Sequence, residues 1–333
     1  VTEVKSGPGF QRAEGSRLVA VMRRNGALAQ DYARRHDVPR WYDDAEALIH
    51  DPEVDAVSIA TPPGSHLELA LKVCEARKPA YVEKPMARHH AECRAMIAAF
   101  AEAEAPLFVA FYRRGLPRFL KVKELVETGA LGVISGISYR YASPSHLRTD
   151  PQNLPWRFSA EHSGGGLFLD LGCHTLDILD FILGPLQAVS GTATHVAAPY
   201  AVEDGIVMRF RTVGGAPGTA AWNFASAVHE DVIEITGTEG RVTLSTFGNE
   251  PLLLRTAQGE ERFDLPNPPH IQQPLIQTIV DELQGRGVCP STGVTAARTA
   301  AVMDAVLTDY YGSREDAFWT RPETWPGRAT DRE

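Results

Sequence analysis

The run Ala80-Tyr81-Val82-Glu83-Lys84-Pro85 decides how the first third of the chain folds. Its apolar start, without polar alternation, reads as a strand buried on both faces, and the charged pair with a proline turn ends it abruptly. Working outward, residues 56–60 read as the strand before it, 17–22 as an earlier one and 107–111 as the next. Helical stretches at 27–36, 66–77 and 87–103 lie between or beside them; in the second, Leu67, Ala70, Leu71 and Cys74 recur at helical spacing. Short strands alternating with helices predict an α/β unit, a doubly wound Rossmann-type parallel sheet, over residues 1–112.

From residue 113 the texture changes. A helix at 119–128 is ended by Gly129, and longer runs favouring β follow at 133–141, 188–193, 205–211, 219–224, 231–237 and 241–247. Glycine, proline and charged residues punctuate them, as in an antiparallel sheet. One helix at 166–183 interrupts the series and two more, at 274–284 and 295–311, close it. Residues 113–333 are therefore expected to form an α+β domain that binds substrate.

The chain has 333 residues, which suits two domains of ordinary size, and its 44% hydrophobic and 23% charged residues match a soluble globular protein. A net charge of -9 argues against a nucleic-acid or anionic-membrane surface, since phosphate binding needs clustered Lys and Arg. Cys74, Cys93, Cys173 and Cys289 are too scattered for a zinc knuckle or dithiol motif, so reduced thiols and a cytoplasmic location are expected. No apolar run approaches the roughly 20 residues that span a bilayer.

A dinucleotide fold opens with a strand, a glycine-rich turn and a helix that holds the pyrophosphate. Here Val1 to Glu14 supplies only the helix, so the first strand and its glycines are missing from this sequence; Gly7 and Gly9, flanking Pro8, are expected to end that helix. The strand at 17–22 runs into Arg23-Arg24-Asn25 where an NAD site would carry an acid. Two guanidinium groups suit a 2′-phosphate, which points to NADP with NAD as the alternative; solvated surface arginines would look the same. Thr61 and Pro62 follow a strand at the sheet's ligand edge, and His66 stands where it can hydrogen-bond in the crevice or decorate the turn.

Chemistry concentrates at two places. Lys84, at the ligand edge, can hydrogen-bond a substrate hydroxyl and help move its proton. Gly164-Gly165-Gly166 then leads into a helix carrying Asp170 and His174, four apart on one face; the glycines would let backbone approach a ligand closely. A carboxylate and an imidazole so placed can share a substrate alcohol, with His174 exchanging the proton. A structural His–Asp pair, and a metal held with Asp177, stay open as alternatives, but no second cluster supports a metal and none is expected.

The combination of Glu83-Lys84-Pro85 with Gly164-Gly165-Gly166 and Asp170-x-Gly172-x-His174 resembles the Gfo/Idh/MocA oxidoreductases, the glucose–fructose oxidoreductase and inositol dehydrogenase family. The likeness runs from Val1 to about Tyr311, as of a member truncated before or within the glycine-rich turn. It implies a large open antiparallel sheet that joins subunits into a homodimer or homotetramer, and an NAD(P)-dependent dehydrogenase or reductase acting on a sugar, anhydro sugar, polyol or cyclic diol. Under it Lys84 orients substrate, Asp170 binds its hydroxyls and His174 is the general acid/base. Glu83, Lys84, Thr61, Pro62, His66, Arg23 and Arg24 fall to the cofactor, and Arg157, after Trp156, reaches cofactor or substrate. A nucleotide-binding regulator of the same fold and an NAD-dependent glycosidase are the rival readings.

Overall fold

A computed structural model of the chain describes residues 2–144, 150 and 152–329. It divides into two units. The first comprises Val1–Met86, Glu92–Leu116 and Pro268–Ala296, and the second Ala87–Ala91, Pro117–Asn267 and Ala297–Glu333. A single cut after residue 112 thus differs from the observed division at two exchanges of chain. Residues 268–296 return to the first unit because they are packed into it: Ile276 lies against Gly9, Ser291 Oγ donates to the Val109 carbonyl (2.7 Å), and Thr292 bridges Phe108.

The first unit contains strands β1 (Ala20–Met22), β2 (Arg40–Tyr42), β3 (Val57–Ile59), β4 (Ala80–Val82) and β5 (Leu107–Val109), all in parallel pairings. Every residue of β4 and β5 is buried, as an apolar run without alternation requires. Around the strands lie α1 (Ser6–Arg12), α2 (Gly26–Arg35), α3 (Ala45–Ile49), α4 (His66–Glu75), α5 (His90–Glu102) and the later α9 (Gln273–Leu283). Asn25 caps α2 by accepting from Leu28 N (3.2 Å), which fixes the turn directly after β1.

Three features depart from the sequence reading. The parallel strands form two ladders, β1-β2 and β3-β4-β5, rather than one continuous sheet. β2 was not foreseen: three residues, one of them Arg40, carry too little periodicity. Gly7 and Gly9 do not end a helix; both sit inside α1, where a Cβ on Gly7 would strike the Tyr32 hydroxyl and one on Gly9 would lie 2.5 Å from Ile276 Cδ1. Close packing, not helix termination, explains them.

The second unit is built on one eight-stranded sheet in the order β13-β12-β11-β10-β6-β9-β8-β7. Its strands are β6 (Ile134–Ala142), β7 (Gln187–Thr194), β8 (Gly205–Arg211), β9 (Pro217–Asn223), β10 (Glu230–Gly237), β11 (Gly240–Leu244), β12 (Leu252–Thr256) and β13 (Gly259–Phe263). The expected antiparallel sheet is present with one exception, β6 and β9, which run parallel with Tyr139 opposite Ala220. β8 alternates buried Ile206, Met208 and Phe210 with exposed Val207, Arg209 and Arg211, a sheet with one face in a core. β12 and β13 were not foreseen, and the run read as 241–247 leaves the sheet after Leu244.

Helices α6 (Pro117–Glu127), α7 (Ala160–Ser163), α8 (Cys173–Leu183) and most of α10 (Gly293–Tyr311) complete this unit; α9 (Gln273–Leu283) belongs to the first. Immediately before α8, Phe168–Gly172 form a turn of π-helix. Phe168 packs edge-on to Trp222 of β9 at 4.9 Å between ring centres, and Trp222 meets Tyr139 at 5.2 Å, so this turn rests on the core face of the sheet. Nine of the eleven residues of α8 are buried, among them the polar His174, Thr175, Asp177 and Asp180.

Candidate active site

In the first unit the foreseen residues collect at the carboxyl ends of parallel strands. Arg23 and Arg24 are exposed just past β1, where the Arg23 amide is tied to the Tyr42 carbonyl at 3.1 Å. Neither side chain forms an ion pair among the described residues. Past β3, Thr61 is exposed, and Ser65 Oγ reaches both Thr61 Oγ1 (2.8 Å) and the Pro62 carbonyl (3.0 Å). Past β4 come Glu83 and Lys84; the lysine side chain is half-buried.

His66 is wholly buried at the head of α4, so it does not line an open crevice. Its Nε2 lies 2.8 Å from the Thr61 carbonyl, and Nδ1 lies 3.2 Å from both the Pro85 and Met86 carbonyls. Both ring nitrogens thus face carbonyl oxygens, one from the Thr61 turn and two from the backbone after Lys84, and a neutral ring donates from only one nitrogen at a time. Burial pushes the imidazole pKa down, against the opposing pull of these carbonyls. The residue thereby fixes the Thr61 turn to the backbone just after Lys84.

Glu83 is also buried. Tyr81 Oη donates to Gln272 Oε1 (3.3 Å), Gln272 Nε2 donates to Glu83 Oε1 (2.8 Å), and Glu83 Oε2 accepts from Lys84 N (3.3 Å). Loss of hydration raises the carboxyl pKa despite the Gln272 bond. The carboxylate therefore steadies the backbone that carries Lys84. Gln272, on the returning segment before α9, is a partner no local pattern could reveal.

In the second unit the three glycines serve packing within the protein rather than room for a ligand. Gly164 ends α7 at φ +86°, and a Cβ there would lie 2.7 Å from Arg88 Cα. Gly166 N donates to both oxygens of the fully buried Glu203 (3.0 and 2.8 Å), whose pKa burial raises and which also accepts from the Tyr311 hydroxyl. Arg314 donates to the Gly164 carbonyl (2.7 Å), the Arg88 carbonyl (2.8 Å) and Asp304 (2.8 Å), with the Tyr311 and Phe318 rings packed on it.

Asp170 lies in the π-helical turn and His174 in the first turn of α8. Such turns widen the helix and recur at functional positions. Arg157 Nε donates to Asp170 Oδ2 at 2.8 Å, and its guanidinium stacks over Trp156 at 4.5 Å, so two foreseen residues meet directly. His174 is buried but for 4% of its surface, and the Phe247 ring stands nearly perpendicular to it, 5.9 Å away. Among the described residues no group of three or more His, Cys, Asp and Glu side chains is placed to hold a metal ion.

Comparison with known proteins agrees with this layout. Residues 3–111 match the model of the oxidoreductase family with an NAD-binding Rossmann fold, and residues 119–243 match the GFO/IDH/MocA C-terminal domain. The chain belongs to the GFO/IDH/MocA oxidoreductase family. An oxidoreductase of Formosa agariphila is 34% identical over 91% of this chain and 94% of its own. The scyllo-inositol 2-dehydrogenase (NAD(+)) of Bacillus subtilis is 29% identical over 84% of this chain and 80% of its own. Among solved structures, a levoglucosan dehydrogenase in complex with NADH and levoglucosan matches the fold with a TM-score of 0.79 at 24% identity, covering 86% of each chain.

This GFO/IDH/MocA oxidoreductase thus carries all its foreseen site residues in described segments. The Gly164→Ala variant is expected to lose about 2 kcal/mol or more of stability in urea unfolding, because strain at positive φ adds to overlap with Arg88 backbone. His66 supplies a pH test. With its folded pKa below the ordinary value of 6.5, its contribution is present above that value and lost as pH falls through the depressed pKa. The stability gap between the native protein and His66→Gln should be widest above pH 6.5 and narrow on acidification, as followed by urea midpoints across pH.

Proposed function

We propose that this oxidoreductase moves a hydride between nicotinamide and a carbinol or carbonyl carbon of a sugar, anhydro sugar, polyol or cyclic diol. The observation that carries the reading is the Arg157–Asp170 contact in the π-helical turn leading directly into His174. It supplies a fixed hydroxyl acceptor one turn from an imidazole. The relatives' names support the substrate class: a levoglucosan dehydrogenase, a 1,5-anhydro-D-fructose reductase and a trans-1,2-dihydrobenzene-1,2-diol dehydrogenase stand beside the inositol enzyme.

In the oxidative direction the carbinol carbon gives up hydride while its hydroxyl proton passes to His174, leaving a carbonyl; reduction reverses both transfers. Asp170 accepts hydrogen bonds from substrate hydroxyls, and Arg157 keeps its carboxylate oriented. Lys84 donates to the reacting oxygen and eases its loss of the proton. The nicotinamide cofactor, when bound, accepts or returns the hydride. Arg23, Arg24, Thr61, Pro62 and Glu83 would hold it, with His66 acting through the Thr61 carbonyl it anchors. The donor set fits an anionic dinucleotide, since two exposed guanidinium groups directly precede the N-terminus of α2. That pair is also the ground for preferring NADP over NAD.

A homodimer or homotetramer formed through the eight-stranded sheet, in the cytoplasm, completes the proposal. All four cysteines are buried free thiols, in keeping with a reducing compartment. No helix among the described residues is long and apolar enough to cross a membrane.

His174→Ala is expected to lower kcat by about 100-fold or more while the affinity for reduced cofactor changes little, measured by nicotinamide absorbance with a sugar panel and by fluorescence titration. Near-normal kcat at saturating substrate would remove the acid/base assignment. Replacing Arg23 and Arg24 together by Ala should weaken NADP about tenfold more than NAD. An equal loss for both cofactors would make the two arginines general contacts and cancel the preference.

A further inference from the structure

β11 ends at Leu244, and the chain then bends instead of continuing the sheet. The bend is held firmly. Asp231 of β10 accepts from Thr246 N (3.1 Å), Phe247 N (2.6 Å) and the Tyr139 hydroxyl (3.2 Å). Thr246 Oγ1 lies 3.1 Å from Thr175 Oγ1, on the residue after His174, so the same bend is also tied to α8. A backbone secured from two sides in this way fixes where the Phe247 ring goes.

That ring goes beside the proposed acid/base. It stands 5.9 Å from His174 at 81°, and 5.6 Å from Tyr141 at 66°. Tyr141 in turn packs against Phe224 and meets the edge of His229. Burial pushes the Tyr141 hydroxyl pKa up, with the carboxylates of Asp231 and Asp170 adding to the effect. Of these rings Phe247 is half-buried and His229 is exposed, while Tyr141 and Phe224 are closed over.

We propose that Phe247, fixed by Asp231 against His174, selects ring-shaped substrates with an apolar C–H face over open-chain polyols. The inference rests on the sugar-type reading given above. Asp170 and His174 address hydroxyls, whereas the partly buried phenyl ring beside His174 addresses the opposite property. A pyranose, an anhydro sugar or a cyclitol presents both at once, with hydroxyls at its edge and a rigid face of C–H bonds. An open-chain polyol samples many conformers, and ordering one against the ring costs entropy that the cyclic compound does not lose.

The test compares D-glucose and myo-inositol with sorbitol in the native enzyme, Phe247→Leu and Phe247→Tyr, following nicotinamide absorbance and, for binding, saturation-transfer NMR. Leucine keeps the apolar bulk but not the aromatic face. The native enzyme should favour a cyclic compound, and Phe247→Leu should raise its KM by about five- to tenfold while kcat stays within about threefold and sorbitol is unaffected. Phe247→Tyr should restore the native preference. Equal KM changes for cyclic and open-chain compounds, or a fall in kcat alone, would make Phe247 a packing residue for His174 and overturn the proposal. Turnover of sorbitol with neither cyclic compound used or bound would overturn it while leaving the sugar-type reading intact. Absence of binding and turnover for all three would remove both.

Discussion

A guanidinium with almost no access to water holds the entrance to the helix that bears His174. Stripping Arg314 of its hydration costs several kcal/mol unless every donor is matched and the charge is balanced. Here Asp304 balances it, and the Gly164 and Arg88 carbonyls take further donors. Asp304 also accepts from His90 N at 2.8 Å, so one ion pair binds the end of α7, the segment after Pro85 and α10. Glu203 does the equivalent work from the other side by capping Gly166 N. Local backbone choices at 164–166 make sense only around these two buried charges.

What the sequence displays depends on the range of the interaction involved. β4 was legible because burial on both faces imposes a contiguous apolar run, and α8 because Leu176, Ile178, Leu179, Phe181, Ile182 and Leu183 make a dense apolar stretch. The residues of the candidate site were legible because Glu83-Lys84-Pro85 and the Asp170/His174 helix form a rare pair of motifs. The purpose of the glycine triplet was not, since the demand for no Cβ arises from Arg88 and Glu203, far away in the chain. His66 marks the same boundary: its position at a turn could be read, but its burial between three carbonyls could not.

The most informative mismatch concerns residues 245–247. By composition they extend a strand, but the Asp231 carboxylate accepts from the Thr246 and Phe247 amides and Thr175 meets Thr246, which holds them off the sheet. Gln272 and Arg314 belong to the same class. Each acts through long-range polar contacts at a residue whose local context is unremarkable, and no period or spacing encodes that.

The interlaced path of the chain also bears on how the protein comes to be folded. The first unit needs residues 268–296, since α1 is packed against α9 and Glu14 N is bonded to Gln277 across 263 residues of sequence. On a ribosome that segment emerges after the whole eight-stranded sheet has been made. The parallel ladders must therefore wait with apolar surface exposed, while the sheet, whose strands pair mainly with near neighbours in sequence, can assemble earlier. Neither unit is complete until the last third of the chain has been made, since the first takes residues 268–296 and the second residues 297–333, and a chaperone that guards the early segment would shorten the hazard.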